Sequence, residues 1–167
     1  MSRRHAGAHG PYSLEFPMSL PITLDTTDTA LPIPQALTDV LLKEIERAYI
    51  TTPPQPTEDP LFGITLVFRD PGYDPLLGGY HPVEIRLGRA NEHYRLDYLT
   101  DFSYVGPADQ AELQSEINFE FGVSLCVVRY LPPIALSRVG EFFDLYVTNF
   151  LSYYRNGAYE VEVVWEN

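Results

Sequence analysis

Two alternating runs of apolar and polar residues flank a short polar turn in residues 78–106 (GGYHPVEIRLGRANEHYRLDYLTDFSYVG), and this pattern constrains the fold more than any other part of the chain. Period-two alternation around a turn is the signature of a β-hairpin with one buried face. Val83, Ile85 and Leu87 share one side of the first strand, with Glu84 and Arg86 on the other. Tyr94, Leu96 and Tyr98 share one side of the second, with Arg95 and Asp97 opposite. Of the two registers that keep apolar residues facing each other, one sets Arg86 against Arg95 and Glu84 against Asp97. The other sets Arg86 against Asp97, Leu87 against Leu96 and Ile85 against Tyr98. Opposed like charges cost about what opposite charges gain, roughly 0.2–1 kcal/mol per pair, so the second register is expected, with residues 90–93 as the loop.

The rest of the chain supplies partners for that hairpin. Residues 1–20 read as an irregular tail with Leu14, Phe16 and Met18 as docking residues, and 21–167 as a single α+β domain. PITLDTT at 21–27 reads as a short edge strand. A helix is predicted over 34–49, opened by Pro34 and carrying Leu37, Val40, Leu41, Ile45, Ala48 and Tyr49 at helical spacing. The proline-rich stretch 52–60 cannot continue it. GITLVFR at 63–69 is a strand, and 107–116 a short acidic helix or turn. One long strand is expected over 117–130, because Ile117, Phe119, Phe121, Val123, Leu125 and Val127 alternate strictly, with Gly122 marking a bulge. A second helix opens at Ser137 and stops at Asn156–Gly157. A last strand over 158–166 turns Tyr159, Val161, Val163 and Trp165 inward. The expected architecture is a two-layer sandwich, a mainly antiparallel sheet of about five strands with two longer helices on one face.

The phrases GYHPVEIRL, LDYLTDFSYVG, NFEFGV and FDLYVTNFLSYYRNGAYEVEV resemble, over residues 61–166, a bacterial domain-of-unknown-function family numbered 2787. The resemblance implies a small single-domain bacterial protein and carries over no catalytic or binding residue.

Charge excludes some functions. There are 11 basic and 23 acidic residues, a net charge of −12, and Lys43 is the lone lysine. Such a field opposes direct binding to a phosphate backbone and favours a protein partner with a basic surface. No apolar run approaches the ~20 residues of a membrane helix, and Arg3 and Arg4 are followed by no apolar leader segment, so the expectation is a cytoplasmic protein. The single cysteine, Cys126, stands in the apolar run VSLCVV and reads as a buried small hydrophobe. Glutamates on the last strand would discourage edge-to-edge pairing, which suggests a monomer.

Site candidates are few. The loop DPGYDPLLGGYHP (70–82), with three prolines and three glycines, is long and shaped. His81 in it is a candidate base or ligand, or else merely opens the next strand, with Tyr73 and Tyr80 packing as a lid. Asp97 and Asp101 lie four apart and would pair on one face of a regular strand. Asp97 is better matched to Arg86, and Asp101 to a turn that ends the strand. His5, His9, His81 and His93 offer no convergent ligand set, so no metal is expected, nor any cofactor; no serine sits in a nucleophile-elbow context. The leading reading is an acidic protein-interaction module using Tyr73, Tyr80, Glu84, Arg86, Asp97 and Tyr104 with the 70–82 loop. The alternative is a small enzyme or ligand-binding domain with a pocket under that loop. A pocket lined by His81 favours the alternative; a flat surface with His81 bonded to its own loop favours the first.

Overall fold

The computed structural model describes residues 22–56 and 59–167; the expected tail, with His5 and His9, lies outside them. The elements are α1 (Gln35–Thr51), β1 (Gly63–Arg69), β2 (Val83–Ala90), β3 (His93–Val105), β4 (Glu112–Glu120), β5 (Leu125–Val128), β6 (Ile134–Ala135), α2 (Gly140–Arg155) and β7 (Glu160–Glu166). All seven strands among the described residues form one antiparallel sheet in the order β6-β5-β4-β3-β2-β1-β7. The chain is therefore α+β, with seven strands where the sequence suggested about five.

One of the two extra strands comes from a hidden turn; the other is the two-residue β6, which pairs with β5 at the sheet edge. The expected long strand over 117–130 is a hairpin: β4 ends at Glu120, residues 121–124 turn, and β5 pairs back with Phe119 opposite Cys126. Ser124 adopts φ +57° in that turn, and Val123 is 61 % exposed. The turn reverses the odd-even facing, so that Cys126 and Val128, not Leu125 and Val127, stand in the rows of Phe119 and Ile117; β5 (LCVV) is apolar at every position, and the reversal is hidden in the sequence. Gly122 is a turn residue, not a bulge. The expected acidic helix or turn at 107–116 is a single 3-10 turn at Ala108–Gln110, and β4 takes over from Glu112. The expected edge strand at 21–27 is reduced to a bridge from Leu24 to Tyr94.

The core follows one row of side chains across the whole sheet. Val163, Leu66, Ile85, Leu99, Phe119, Cys126 and Ile134 stand side by side on successive strands. Buried side chains of both helices, Leu37, Leu41 and Ile45 from α1 and Phe143, Val147 and Phe150 from α2, join the same cluster. Cys126 is buried and unbridged, as expected. The neighbouring row reads Val161, Phe68, Val83, Asp101, Ile117 and Val128. One carboxylate thus occupies a place in an otherwise apolar row.

Helix α2 links the two edges of the sheet. From β6 to β7 is six strand spacings, about 29 Å, and 16 helical residues extend about 24 Å. The helix must cross the sheet, and its apolar stripe seats Phe150 on Phe68 and Phe143 on Phe119, with ring centroids 4.9 and 5.0 Å apart. It stops where the sequence indicated, with Gly157 at φ +74°.

The hairpin differs from expectation in one instructive way. Leu87 does face Leu96, and Arg86 does bond Asp97, but Arg86 stands opposite Tyr98 because Asp97 is an extra residue in β3. The bulge lets Leu96 and Leu99 both face the core and sends Asp97 and Tyr98 to the other face. The loop is Asn91–Glu92 alone, with Asn91 at φ +58°, the left-handed conformation a tight hairpin requires. Two apolar residues facing in across the bulge outweigh strict alternation.

Candidate functional site

The facing reversed by the first bulge places Asp101 inward. The strand does not end there, as a turn-capping role would require; β3 continues to Val105. Nor do Asp97 and Asp101 pair, since the bulge puts them on opposite faces. Asp101 is 6 % exposed, and a buried carboxylate needs hydrogen-bond partners. It has two: Oδ1 lies 2.8 Å from His81 Nδ1, and Oδ2 accepts the Tyr146 hydroxyl at 3.0 Å.

A second bulge adds the next group. Asp101 pairs with Ile117 and Phe102 with Ser115, leaving Glu116 as the extra residue of β4. Glu116 and Ile117 consequently both line the cleft, and Glu116 Oε2 lies 3.7 Å from His81 Nδ1. Bulges beside sites commonly redirect one side chain in this way.

His81 is placed by its own loop. Asp70 accepts from the Gly72 and Tyr80 amides at 2.8 and 2.9 Å, and Asp74 accepts from Leu76 at 2.8 Å, so the loop is held by carboxylate-to-amide bonds. At Gly79, φ +137°, a Cβ would stand 2.9 Å from Tyr73 Cα and from an Asp70 oxygen; only glycine fits. The chain then turns His81 toward Asp101, on β3, and away from the loop.

The result is a half-open cleft of about 410 Å³ between the 70–82 loop, β3, β4 and the second half of α2. His81, Asp101 and Glu116 form its polar end; Tyr80, Tyr153, Tyr159 and Phe150 line the rest, with Asn149 among them. The Tyr80 and Tyr153 rings are 4.5 Å apart. Tyr73 stacks on Tyr104 at 5.1 Å and tilts against His81 at 5.4 Å, forming a support beside the cleft.

The electrostatics follow from burial and the carboxylates. The hydrogen bond to Asp101 is the main cause raising the His81 pKa; burial and the charge of Arg129 oppose it, and Glu116 adds to it. Burial first, then Asp101, pushes the Tyr146 hydroxyl well above the ordinary tyrosine value and likewise raises Tyr159. Both tyrosines therefore remain neutral donors. Arg129 is committed to Ser103 Oγ and to the carbonyls of Gln114 and Ser115 at 2.6–3.0 Å. The lining holds no serine, threonine or cysteine, so the cleft offers acid–base groups and ligand atoms but no hydroxyl or thiol of those residues as nucleophile.

The family model described as a protein of unknown function (DUF2787) matches residues 35–164. The chain belongs to this family. No curated protein matches it significantly. Among solved structures, it is similar to the hypothetical protein VC0508 from the Vibrio cholerae VSP-II pathogenicity island. That match has a TM-score of 0.70 and 26 % identity, covering 84 % of this chain and 99 % of the other. It also resembles in fold the conserved hypothetical protein VC1805 from pathogenicity island VPI-2 of Vibrio cholerae, itself described as sharing structural homology with the human P32 protein. There the TM-score is 0.68 and the identity 24 %, covering 85 % and 100 %. The cleft thus belongs to a family scaffold without an assigned activity.

Of the sequence candidates, Tyr80, His81 and Asp101 meet in the cleft, with Tyr73 and Tyr104 beside it. Glu84, Arg86 and Asp97 are on the opposite face of the sheet. There Arg86 bonds Asp97 and, through Nε and Nη2, both oxygens of Glu166 at 2.6–3.1 Å, while Tyr98 donates to Glu84. Sequence reasoning missed Glu116, Tyr146, Asn149, Tyr153 and Tyr159. The α2 residues had a signal: Tyr146, Asn149 and Tyr153 recur at the three- and four-residue spacing of one helical face. Glu116 had none, because its inward turn depends on a bulge. No helix among the described residues is long and apolar enough to cross a membrane.

Proposed function

We propose that the protein is a small-ligand-binding domain and that the ligand occupies the cleft under the 70–82 loop. The observation that carries this reading is the bond from His81 to Asp101, which brings the loop histidine to the edge of a cleft instead of fastening it to its own loop. At about 410 Å³ the cleft falls within the ~300–1,000 Å³ typical of small-molecule sites, and it combines an aromatic wall with a few convergent polar groups. The ligand places a flat apolar part against Tyr80, Tyr153 and Tyr159 and a polar end at His81, Asp101 and Glu116.

The reading as an interaction module for a basic protein draws support from the net charge of −12 and from Leu76 and Leu77, exposed at the tip of the same loop. It is the weaker one, because Arg86, Asp97 and Glu166 on the open face are spent on one another. The test is a ligand-observed NMR screen of the full-length protein with a fragment library, repeated on N149W, which fills the mouth of the cleft from an exposed helical position. Hits abolished by N149W at unchanged melting temperature are expected. Hits indifferent to N149W, or none, would overturn the reading.

A further inference from the structure

We infer that the polar end of the cleft binds a divalent first-row transition-metal ion through His81, Asp101 and Glu116, an inference that rests on the cleft being the ligand site. Each of the three offers one donor atom, and these atoms lie within 4.8 Å of one another. Donors held about 2.0–2.2 Å from one ion at right to tetrahedral angles stand roughly 2.9–3.5 Å apart. The spacings from His81 Nδ1, 2.8 Å to Asp101 and 3.7 Å to Glu116, bracket that range. A rotation of the partly exposed Glu116 side chain closes the remainder.

The frame beneath these donors is rigid. Asp101 pairs with Val83, two residues beyond His81, and with Ile117, beside Glu116. The Asp101–Glu116 spacing is therefore set by strand register across β3 and β4, and His81 is held two residues before β2 at the end of its carboxylate-braced loop. Asp101 also has the outer support that metal-binding carboxylates commonly show: its second oxygen is held by Tyr146, leaving the first to face His81 and Glu116. Two carboxylates and a neutral imidazole balance a double positive charge. Arg129 adds opposing charge, but its guanidinium is bonded to Ser103, Gln114 and Ser115.

The donor set selects the ion. One imidazole nitrogen with two carboxylate oxygens suits zinc, manganese or iron(II), whereas magnesium and calcium prefer all-oxygen shells. Three protein ligands leave at least one position open to the cleft, the arrangement of a site that binds water or an exogenous ligand. The ligand class narrows accordingly: a small molecule with an aromatic or otherwise flat body and an oxygen donor, such as a carboxylate, for the metal.

Zinc is the probe. Chelator-stripped, full-length protein titrated calorimetrically with zinc should bind one ion per chain. H81Q and E116Q should each weaken binding by at least about tenfold, and Y146F by less. The cobalt(II) form should show visible absorption that E116Q abolishes. E116Q alters a partly exposed bulge and should keep the parent melting temperature without metal, so it carries the test if H81Q fails to fold. Absence of binding by zinc, cobalt and manganese overturns the inference. So does binding unchanged in both variants, which would assign the ion to His5, His9 or His93. Fragment hits at the cleft with no metal binding overturn the metal and leave the cleft reading standing. Single-site zinc binding lost in E116Q with an empty fragment screen keeps the metal and removes the organic ligand.

Discussion

Two polar clusters stand on opposite faces of the same sheet, each next to a bulge, and they are built differently. On the open face the bulge at Asp97 aims a carboxylate at Arg86, whose guanidinium also holds Glu166; Thr65 donates to the same Glu166. A permanent cation meets two anions, and the fork of Arg86 is filled. In the cleft the bulge at Glu116 aims a carboxylate at a histidine that already holds Asp101. Here two anions meet a group whose charge depends on pH, and the cluster edges a cavity. The first arrangement closes on itself and stabilises the sheet edge at β7. The second is left with capacity to bind.

If that contrast is right, the open-face cluster should matter most for stability. R86A leaves Asp97 and Glu166 facing each other without their cation and should cost about 2–3 kcal/mol in denaturant unfolding, discounted from a fully buried pair because Arg86 is 21 % exposed. A loss below about 0.5 kcal/mol would remove the contrast. D101N keeps the shape of the row but weakens the bonds from His81 and Tyr146, and should cost about 1–2 kcal/mol by the same measurement.

Much of this frame was legible in the sequence. The bounds of β1, the inner stripe of α2, its stop at Gly157, the Leu87–Leu96 pairing and the Arg86–Asp97 bond all follow from periodicity, turn chemistry and charge pairing. What was not legible shares one cause. Period-two reasoning counts residues, and a bulge adds one without altering composition. The extra residue at Asp97 reverses the facing of all that follows in β3, which is why Asp101 reads as exposed in sequence and is buried in the fold. The extra residue at Glu116 hides within a stretch that looks like a polar turn. The 121–124 turn also reverses the facing, from Phe119 to Cys126, and it remains invisible because every residue of β5 (LCVV) is apolar.

Smaller effects sharpen the comparison. Y146F removes one hydrogen bond to the buried carboxylate and should cost about 1 kcal/mol. The open-face cluster should also respond to acid. Hydrogen bonding to Arg86 holds the Glu166 carboxyl below the usual carboxylate range. Its stabilisation is thus fully present above the unfolded-state pKa near 4.5 and is lost as pH falls through the lowered folded value. The stability gap between the parent protein and E166Q, followed by thermal unfolding, should shrink as pH drops below about 4.5; a gap that widens would refute the assignment. Smallest of all, E116Q should leave unfolding stability within about 0.5 kcal/mol of the parent, because that side chain is partly exposed and serves binding.

The most direct measurement is a two-dimensional amide NMR map of the full-length protein, recorded as fragment hits are added. The account requires shifts concentrated at residues 79–81, 101, 116–117 and 146–153. Shifts gathered instead around Arg86, Asp97 and Glu166 would contradict it, and would return function to the open face of the sheet.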